Sequence, residues 1–478
     1  MPGCSYTYCG SRCHLARQVP CARPILVFTL LLSLPLQAQA GDAGGPDAGA
    51  ASNGAEEETT LEALPVRGST GGTAASKEQR GQIDELSSGE KEEARQERAM
   101  TTETSTNEDP DANRRRRQDF AEEADDETPT DRRAWNFDLY GSARVHLINN
   151  YDLETDETET SLGDGGSRVG ASAAWKFHEG WELFALAEGG FNILDTFTAG
   201  ATYDGGAALQ PRLYHVGLDS DNVYVKFGKS WSSYYTVAGA ADRFAIFGGN
   251  AAGIYNANTD GGATGTGRAD DAIQTRLYID PQGFWDIVPF NLNLQYQLSQ
   301  PIPEVRGQDY KYSYSASGWL ENQSRVGIGF AYHRAAVENP AAPEVIAAGI
   351  NGDAVARAIA IKTYGERWLA SLVWADLDNI ETTDQFIYFE GKGIELYANW
   401  NISGNFWLVG GGNWLSPDSG EAGVGDYEVQ YGVMGVHYTF GSFRRMIYAE
   451  WRDDHGTRAN GQSQKNEFTV GIRWDFGD

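Results

Sequence analysis

From Trp135 to the C-terminus, apolar and polar residues alternate with a period of two. In residues 290–298 one face carries Phe, Leu, Leu, Tyr and Leu, and the other carries Asn, Asn, Gln and Gln. The segments 137–147, 393–402 and 468–476 repeat the pattern. Since successive side chains of a strand point to opposite faces, this pattern predicts strands with one apolar face each.

Alternation also occurs in soluble sandwiches, so three further features favour a membrane protein. The segments are about ten residues long, which suits tilted strands that cross a bilayer. Trp, Tyr and Phe recur near segment ends, as in interfacial aromatic girdles. The mean hydropathy is nevertheless low, −0.47. A bilayer excludes open sheet edges, so these features predict a closed transmembrane β-barrel, with a soluble β-protein as the alternative.

The alternating segments give fifteen strands, and the tyrosine-rich segment 309–320 completes sixteen. An even number places both termini on the periplasmic side, and sixteen strands leave an aqueous channel. The other predicted spans are 136–149, 167–177, 181–192, 211–219, 222–229, 268–279, 289–299, 323–334, 355–365, 367–378, 391–402, 405–415, 428–440, 443–454 and 466–476.

Residues 1–40 have the pattern of a secretory signal peptide. Arg12, Arg17 and Arg23 precede an apolar run over 25–36, and Ala38-Gln-Ala40 provides a small-residue cleavage site. All four cysteines of the chain lie at or before Cys21. The segment that follows the signal therefore has no disulfide, thiolate metal site or cysteine nucleophile.

Residues 41–134 are predicted to be a disordered acidic leader on the periplasmic side. They hold 24 acidic and 12 basic residues and no aromatic residue before Phe120, too little apolar surface for a core. A short helix near 84–100 is compatible with the Glu/Arg spacing. An envelope-anchoring role of this leader is an alternative function. The net charge of −29 argues against nucleic acid as a partner.

Patterns of catalytic chemistry are missing from the sequence. Six histidines, 146, 178, 215, 333, 437 and 455, do not occur at metal-ligand spacing. There is no Gly-x-Ser-x-Gly motif, and the Gly-rich segment 260–267 is predicted to be a loop rather than a nucleotide site. We therefore expect no cofactor, no metal and no enzymatic activity; a Ser/His or Asp/His site on the barrel is the alternative.

Several short motifs lie along the alternating region: Phe137–Gly141, Ser167–Gly170, Arg212–Leu218, Phe227–Lys229, Phe247–Gly249 and Gly267-Arg268. With these motifs the region resembles the general trimeric porins of Gram-negative bacteria. The resemblance implies a water-filled outer-membrane channel for passive diffusion of small hydrophilic solutes and ions. It also implies a homotrimer that contacts outer-membrane lipid and lipopolysaccharide and is inserted by the barrel assembly machinery.

In that family the third external loop folds inward and narrows the channel opposite an arginine-rich wall. By position, the loop is about 230–267 here, with Asp242 as its acid. The loop set further comprises Ile246, Phe247, Gly248 and Gly249. The wall arginines are Arg168, Arg212 and Arg268, together with Arg276 on the face of Arg268.

Two loop positions depart from the family pattern. Ile246 replaces a second acid, and Asn250 stands where a further acid is common. The strand phase predicts that Arg168 and Arg268 face the lumen, whereas that of Arg212 is undecided. The arginines are therefore either a constriction cluster or ordinary lumen lining, and a substrate-specific, phosphate-type porin is the runner-up function.

Overall fold

The computed structural model describes residues 135–151, 158–194, 209–220, 223–279, 290–322 and 324–477. The signal peptide predicted for 1–40, the leader predicted for 41–134 and the short helix near 84–100 lie outside the described residues. Among the described residues, no helix is long and apolar enough to span a bilayer.

The described chain forms one antiparallel sheet of eighteen strand segments. The segments are β1 Trp135–Tyr151, β2 Thr158–Asp164, β3 Arg168–His178, β4 Trp181–Gly190, β5 Gln210–Ser220, β6 Tyr224–Trp231, β7 Arg268–Ile279, β8 Phe290–Gln297, β9 Gln300–Pro301, β10 Asp309–Glu321, β11 Val326–Val337, β12 Ala354–Tyr364, β13 Trp368–Thr382, β14 Tyr388–Ser403, β15 Phe406–Pro417, β16 Val429–Ser442, β17 Arg445–Asp454 and β18 Asn466–Phe476.

The eighteen segments make sixteen barrel strands. β2 and β3 both pair with β1, and β8 and β9 both pair with β10, so each of these couples is one interrupted strand. β1 also pairs with β18, from Gly141 opposite Phe476 to Tyr151 opposite Asn466. The predicted closed barrel of sixteen antiparallel strands is confirmed.

One strand is longer than predicted. The sequence placed the start of the second barrel strand at residue 167, whereas β2 begins at Thr158. The segment Thr-Glu-Thr-Ser-Leu-Gly-Asp lacks an apolar face, so no alternation marks it. The interruption between β2 and β3 is held by Asp164, whose Oδ1 accepts the backbone N–H groups of Gly166 and Ser167 at 2.7 Å each.

The outside of the barrel is apolar and the inside is mostly polar or packed. On β13 the side chains of Trp368, Leu372 and Trp374 are exposed outward, while Ser371 and Val373 between them are buried inside. Because such a surface is stable only against lipid, the barrel spans a membrane.

The external loops between β9 and β18 contact one another at the outer end of the barrel. A short helix, α1 (Pro343–Ala347), buries Val345 against Tyr388 and Phe389 of the same apolar cluster. The Tyr388 hydroxyl donates to the Pro303 carbonyl at 2.9 Å, which ties two of the loops together. The outer mouth is thus bordered by folded loops on this side.

A charge on the lipid-facing side of β13 tests the assigned orientation. Leu372→Arg should lower the free energy of unfolding by about 2–4 kcal/mol, because guanidinium at the bilayer midplane is poorly solvated. The control Thr363→Arg, near the periplasmic end of β12, should cost about 0–1 kcal/mol. Unfolding with guanidinium chloride in phospholipid vesicles measures the free energy of unfolding of both variants. Equal costs would contradict the assigned membrane depth.

Candidate functional site: a constriction inside the barrel

The segment between β6 and β7 folds into the barrel rather than away from it. It contains a short helix, Tyr235–Ala238, and two 3-10 turns, Gly239–Ala241 and Asn256–Asn258. Tyr234, Val237 and Ile254 of this segment are fully buried. We call residues 232–267 the inner loop.

Polar side chains on the barrel wall hold the inner loop by its backbone. Gln295 Oε1 accepts from Ser233 N at 3.1 Å, Ser371 Oγ donates to the Ala240 carbonyl at 2.8 Å, and Trp319 Nε1 donates to the Thr236 carbonyl at 2.9 Å. Glu395 Oε1 accepts from Ala251 N at 2.8 Å. These contacts lie on β8, β10, β13 and β14, so the loop covers that half of the wall.

The far end of the inner loop is held by Glu450 on β17. Its two carboxylate oxygens accept the backbone N–H groups of Ala245, at 2.8 Å, and Ile246, at 3.2 Å. Oε1 also lies 2.9 Å from His437 Nε2, and both side chains are almost fully buried. Because hydrogen bonds to a carboxylate are stronger than those between neutral groups, Glu450 fixes the position of the loop tip.

The wall behind the inner loop is apolar although it faces the lumen. Ala356, Ala360, Val373, Ala375 and Leu377 are fully buried there. They pack against the apolar side of the loop within one cluster. The space between the inner loop and this wall is therefore filled with side chains rather than water.

Gly393 on β14 shows how closely the inner loop approaches the wall. A Cβ atom at this position would lie 1.6 Å from the Ala251 carbonyl oxygen. Only glycine permits this separation, so the loop backbone rests directly on the strand backbone.

The opposite, uncovered wall carries a group of arginines. Arg144 on β1 lies close enough to Arg168, Arg212 and Arg473 to interact with them electrostatically. Arg168 in turn interacts with Arg212 and Arg473. We call these four residues, on β1, β3, β5 and β18, the arginine cluster.

Glu188 on β4 joins two members of the arginine cluster. Its Oε1 accepts from Arg212 Nε at 2.9 Å, and its Oε2 lies 3.6 Å from Arg168 Nε. Oε2 also accepts from the Tyr140 hydroxyl at 3.1 Å. Arg212 reaches this position because the β4–β5 pairing has a bulge next to Glu188, which the strand phase alone does not reveal.

The other two arginines share a second carboxylate. Arg473 Nη2 pairs with Asp475 Oδ2 at 2.6 Å. Ser142 Oγ donates to Asp475, and Arg144 Nε donates to Ser142 Oγ at 2.8 Å. The Ser142 hydroxyl therefore links Arg144 to the Asp475 carboxylate by two hydrogen bonds in series.

Arg268 lies beside the arginine cluster, whereas Arg276 lies apart from it. Arg268 interacts electrostatically with Arg212, and its Nη1 is 3.7 Å from Asp260 of the inner loop. Arg276 stands eight residues further along β7, about 25 Å away at strand spacing, with its guanidinium over the Tyr224 ring. Arg276 is thus too distant to act with the others.

Asp242 of the inner loop is enclosed by its own loop. Its Oδ2 accepts from the Tyr235 hydroxyl at 3.1 Å and the Tyr255 hydroxyl at 2.9 Å. Burial raises the pKa of both tyrosines, so the hydroxyls stay protonated and donate. Burial also raises the pKa of Asp242.

The glycine pair of the loop motif shapes this enclosure. A Cβ atom on Gly248 would lie 2.8 Å from Asp242 Oδ1, and one on Gly249, whose φ is +71°, would lie 2.6 Å from the Tyr255 ring. Phe247 is buried with Arg452 stacked over its ring at 5.3 Å. Ile246 approaches Gly165 on the far side.

Several residues of this site carry no sequence pattern that marks them as functional. Arg144, Glu188, Arg473 and Asp475 were visible only as polar members of alternating strands. Nothing in the alternation distinguishes them from other lumen residues, because their proximity depends on barrel closure and on the bulge. Among the described residues, no group of three or more His, Cys, Asp or Glu side chains is arranged to hold a metal ion.

Solved structures with this architecture are outer-membrane porins. Salmonella typhi OmpF, solved in complex with daunomycin, superposes with a TM-score of 0.56 at 17% identity; the match covers 71% of this chain and 97% of that one. An anion-selective porin from Comamonas acidovorans gives 0.52 at 13% identity, covering 72% and 100%. This chain has the porin fold.

No family model and no curated protein sequence matches the chain. The porin fold is therefore retained here at low sequence identity.

Removing the Glu450 carboxylate tests how the loop tip is held. Glu450→Ala should speed amide hydrogen exchange of Ala245 and Ile246 about tenfold or more, because hydrogen bonds to a charged group contribute about 1.5–3 kcal/mol. Exchange followed by mass spectrometry on peptides from the inner loop measures this. The control Glu321→Ala removes a carboxylate paired with Lys362, away from the loop tip at Ala245 and Ile246. Unchanged protection in Glu450→Ala would show that other contacts fix the tip.

Proposed function

We propose that this protein is an outer-membrane diffusion channel for small hydrophilic solutes and ions. The observation that carries the proposal is the division of the lumen. The inner loop is bonded to wall residues from β8 to β17 and, through Asp260, to Lys229 on β6. The wall of β18, β1, β3 and β5 carries the arginine cluster and lies opposite the loop. A passage lined by charged groups on one side suits hydrated solutes rather than apolar ones.

Passive diffusion without chemical conversion fits the residues of the passage. Arg168, Arg212 and Glu188 are paired with one another, and each presents charge rather than a nucleophile with a positioned base. The solute is then selected by size, through the inner loop, and by charge. We accordingly propose a channel and not an enzyme.

The proposed location is the outer membrane of a Gram-negative bacterium, with lipid and lipopolysaccharide around the barrel. The resemblance to trimeric porins and the outward surface of the early strands support a homotrimer. Phe137, Leu139 and Val216 are exposed there beside Ala171 and Ala185, which gives a surface of large and small apolar residues. Such a surface can pack against a second copy or against lipid chains.

A substrate-specific anion porin is the second candidate. It is favoured by the arginine cluster, in which four guanidinium groups share two carboxylates. In that case inorganic phosphate should block the current at millimolar concentration. The anchoring function considered for residues 41–134 lies outside the described residues and stays a sequence-based alternative.

Reconstitution into planar bilayers tests the proposed function. The protein should insert with current steps that occur in groups of three, and neutral sugars should pass until their diameter approaches that of the constriction. Liposome swelling with sugars of increasing mass measures the second property. A correctly folded protein that conducts no ions would refute the channel, and single, independent steps would refute the trimer.

A further inference from the structure

The charge preference of a constriction depends on which carboxylates face its cations. In this barrel the inner loop offers few candidates. Ile246 and Asn250 carry no charge. Asp260 pairs with Lys229 at 2.8 Å and lies 3.7 Å from Arg268, at the edge of the arginine cluster. Asp242 interacts electrostatically with Arg268, but it is only partly exposed. Both tyrosine hydroxyls donate to one of its oxygens, and the other oxygen lies against the glycine pair.

The wall offers a better candidate in Glu188. Its carboxylate bonds directly to Arg212 and lies against Arg168, so it compensates two guanidinium groups at once. The side chain is rooted in β4 rather than in a loop, and its exposed fraction is 6%. Its charge is thus held at a fixed place beside the passage.

We propose that Glu188 on the barrel wall, rather than an acid on the inner loop, is the carboxylate that sets the ionic preference of this constriction. The cations that it opposes belong to the uncovered wall. A passing anion would meet the arginine cluster with its charge partly cancelled by Glu188, and a passing cation would meet the same carboxylate. This inference rests on the proposed channel function.

The arginine cluster contains more guanidinium groups than carboxylates, so its net charge depends on Glu188. Asp475 pairs with Arg473 and reaches Arg144 only through Ser142. Asp260 is 3.7 Å from Arg268 but 2.8 Å from Lys229, which also pairs with Asp270 at 2.8 Å. Removal of the Glu188 charge therefore leaves Arg168 and Arg212 without a paired carboxylate among the described residues.

The experiment is the reversal potential across a salt gradient in planar bilayers. Glu188→Gln keeps the shape and the hydrogen-bonding capacity of the side chain but removes its charge. The anion permeability should rise and the cation permeability should fall by about threefold each, the effect of one unit charge about 6 Å from the ion in a water-like medium, so their ratio should rise about tenfold. The shift should shrink in 1 M salt, where the screening length falls to about 3 Å.

Three variants separate this role from a structural one. Glu188→Asp keeps the charge and should stay near the wild-type ratio. Glu182→Gln removes a carboxylate from the same strand about 20 Å further toward the periplasm and should change the ratio little. Asp242→Asn, which retains an oxygen for both tyrosines, should shift the ratio less than Glu188→Gln does.

The outcomes separate a failure of the proposed channel function from a failure of the proposed role of Glu188. A wild-type protein without conductance refutes the channel itself. A conducting Glu188→Gln variant with an unchanged reversal potential refutes the role of Glu188 alone. If the permeability ratio shifts in Asp242→Asn as much as in Glu188→Gln, or more, an acid of the inner loop sets the ionic preference instead.

Discussion

The closing hydrogen bonds between β1 and β18 are the interaction on which the rest of the structure depends. In a bilayer an unpaired strand edge leaves backbone N–H and C=O groups without partners, at several kcal/mol for each group. The register from Gly141–Phe476 to Tyr151–Asn466 removes both edges. It also brings Arg144 of the first strand directly opposite Arg473 of the last. Closure thus creates the membrane-spanning wall and half of the arginine cluster at once.

The inner loop divides the closed barrel into two environments. On one side, backbone groups of the loop are satisfied by wall side chains such as Gln295, Ser371, Glu395 and Glu450. On the other, charged side chains line the uncovered wall. The loop is a rigid part of the wall in this arrangement, because buried polar groups that lose their partners are costly. The size of the passage therefore follows from fixed packing rather than from a flexible segment.

The sequence predicts the barrel well because lipid imposes a strict period of two. The strand number, the approximate spans and the inward loop all follow from alternation, segment length and resemblance. β12 illustrates a limit, since Ala356, Ala358 and Ala360 are apolar on the lumen side and blur the alternation. They are apolar because the inner loop packs against them.

The site is less predictable than the fold. The resemblance points to Arg168, Arg212 and Arg268, which lie together, and to Arg276, which does not. Their partner Glu188 cannot be recognised from sequence, because a bulge beside it turns Arg212 toward the lumen. Asp242 is expected to face the arginines; it interacts electrostatically with Arg268, and it also accepts hydrogen bonds from Tyr235 and Tyr255 inside the loop.

The central claim is that the inner loop borders an aqueous passage through the barrel. It is tested most directly with one cysteine at Ile246 and another at Leu372, since the chain has no cysteine after Cys21. A charged, membrane-impermeant thiol reagent should modify Ile246→Cys and reduce the single-channel conductance, while Leu372→Cys, which faces lipid, should stay unmodified. Conductance that is unaffected by the reagent at Ile246→Cys, in a folded channel, would contradict the account.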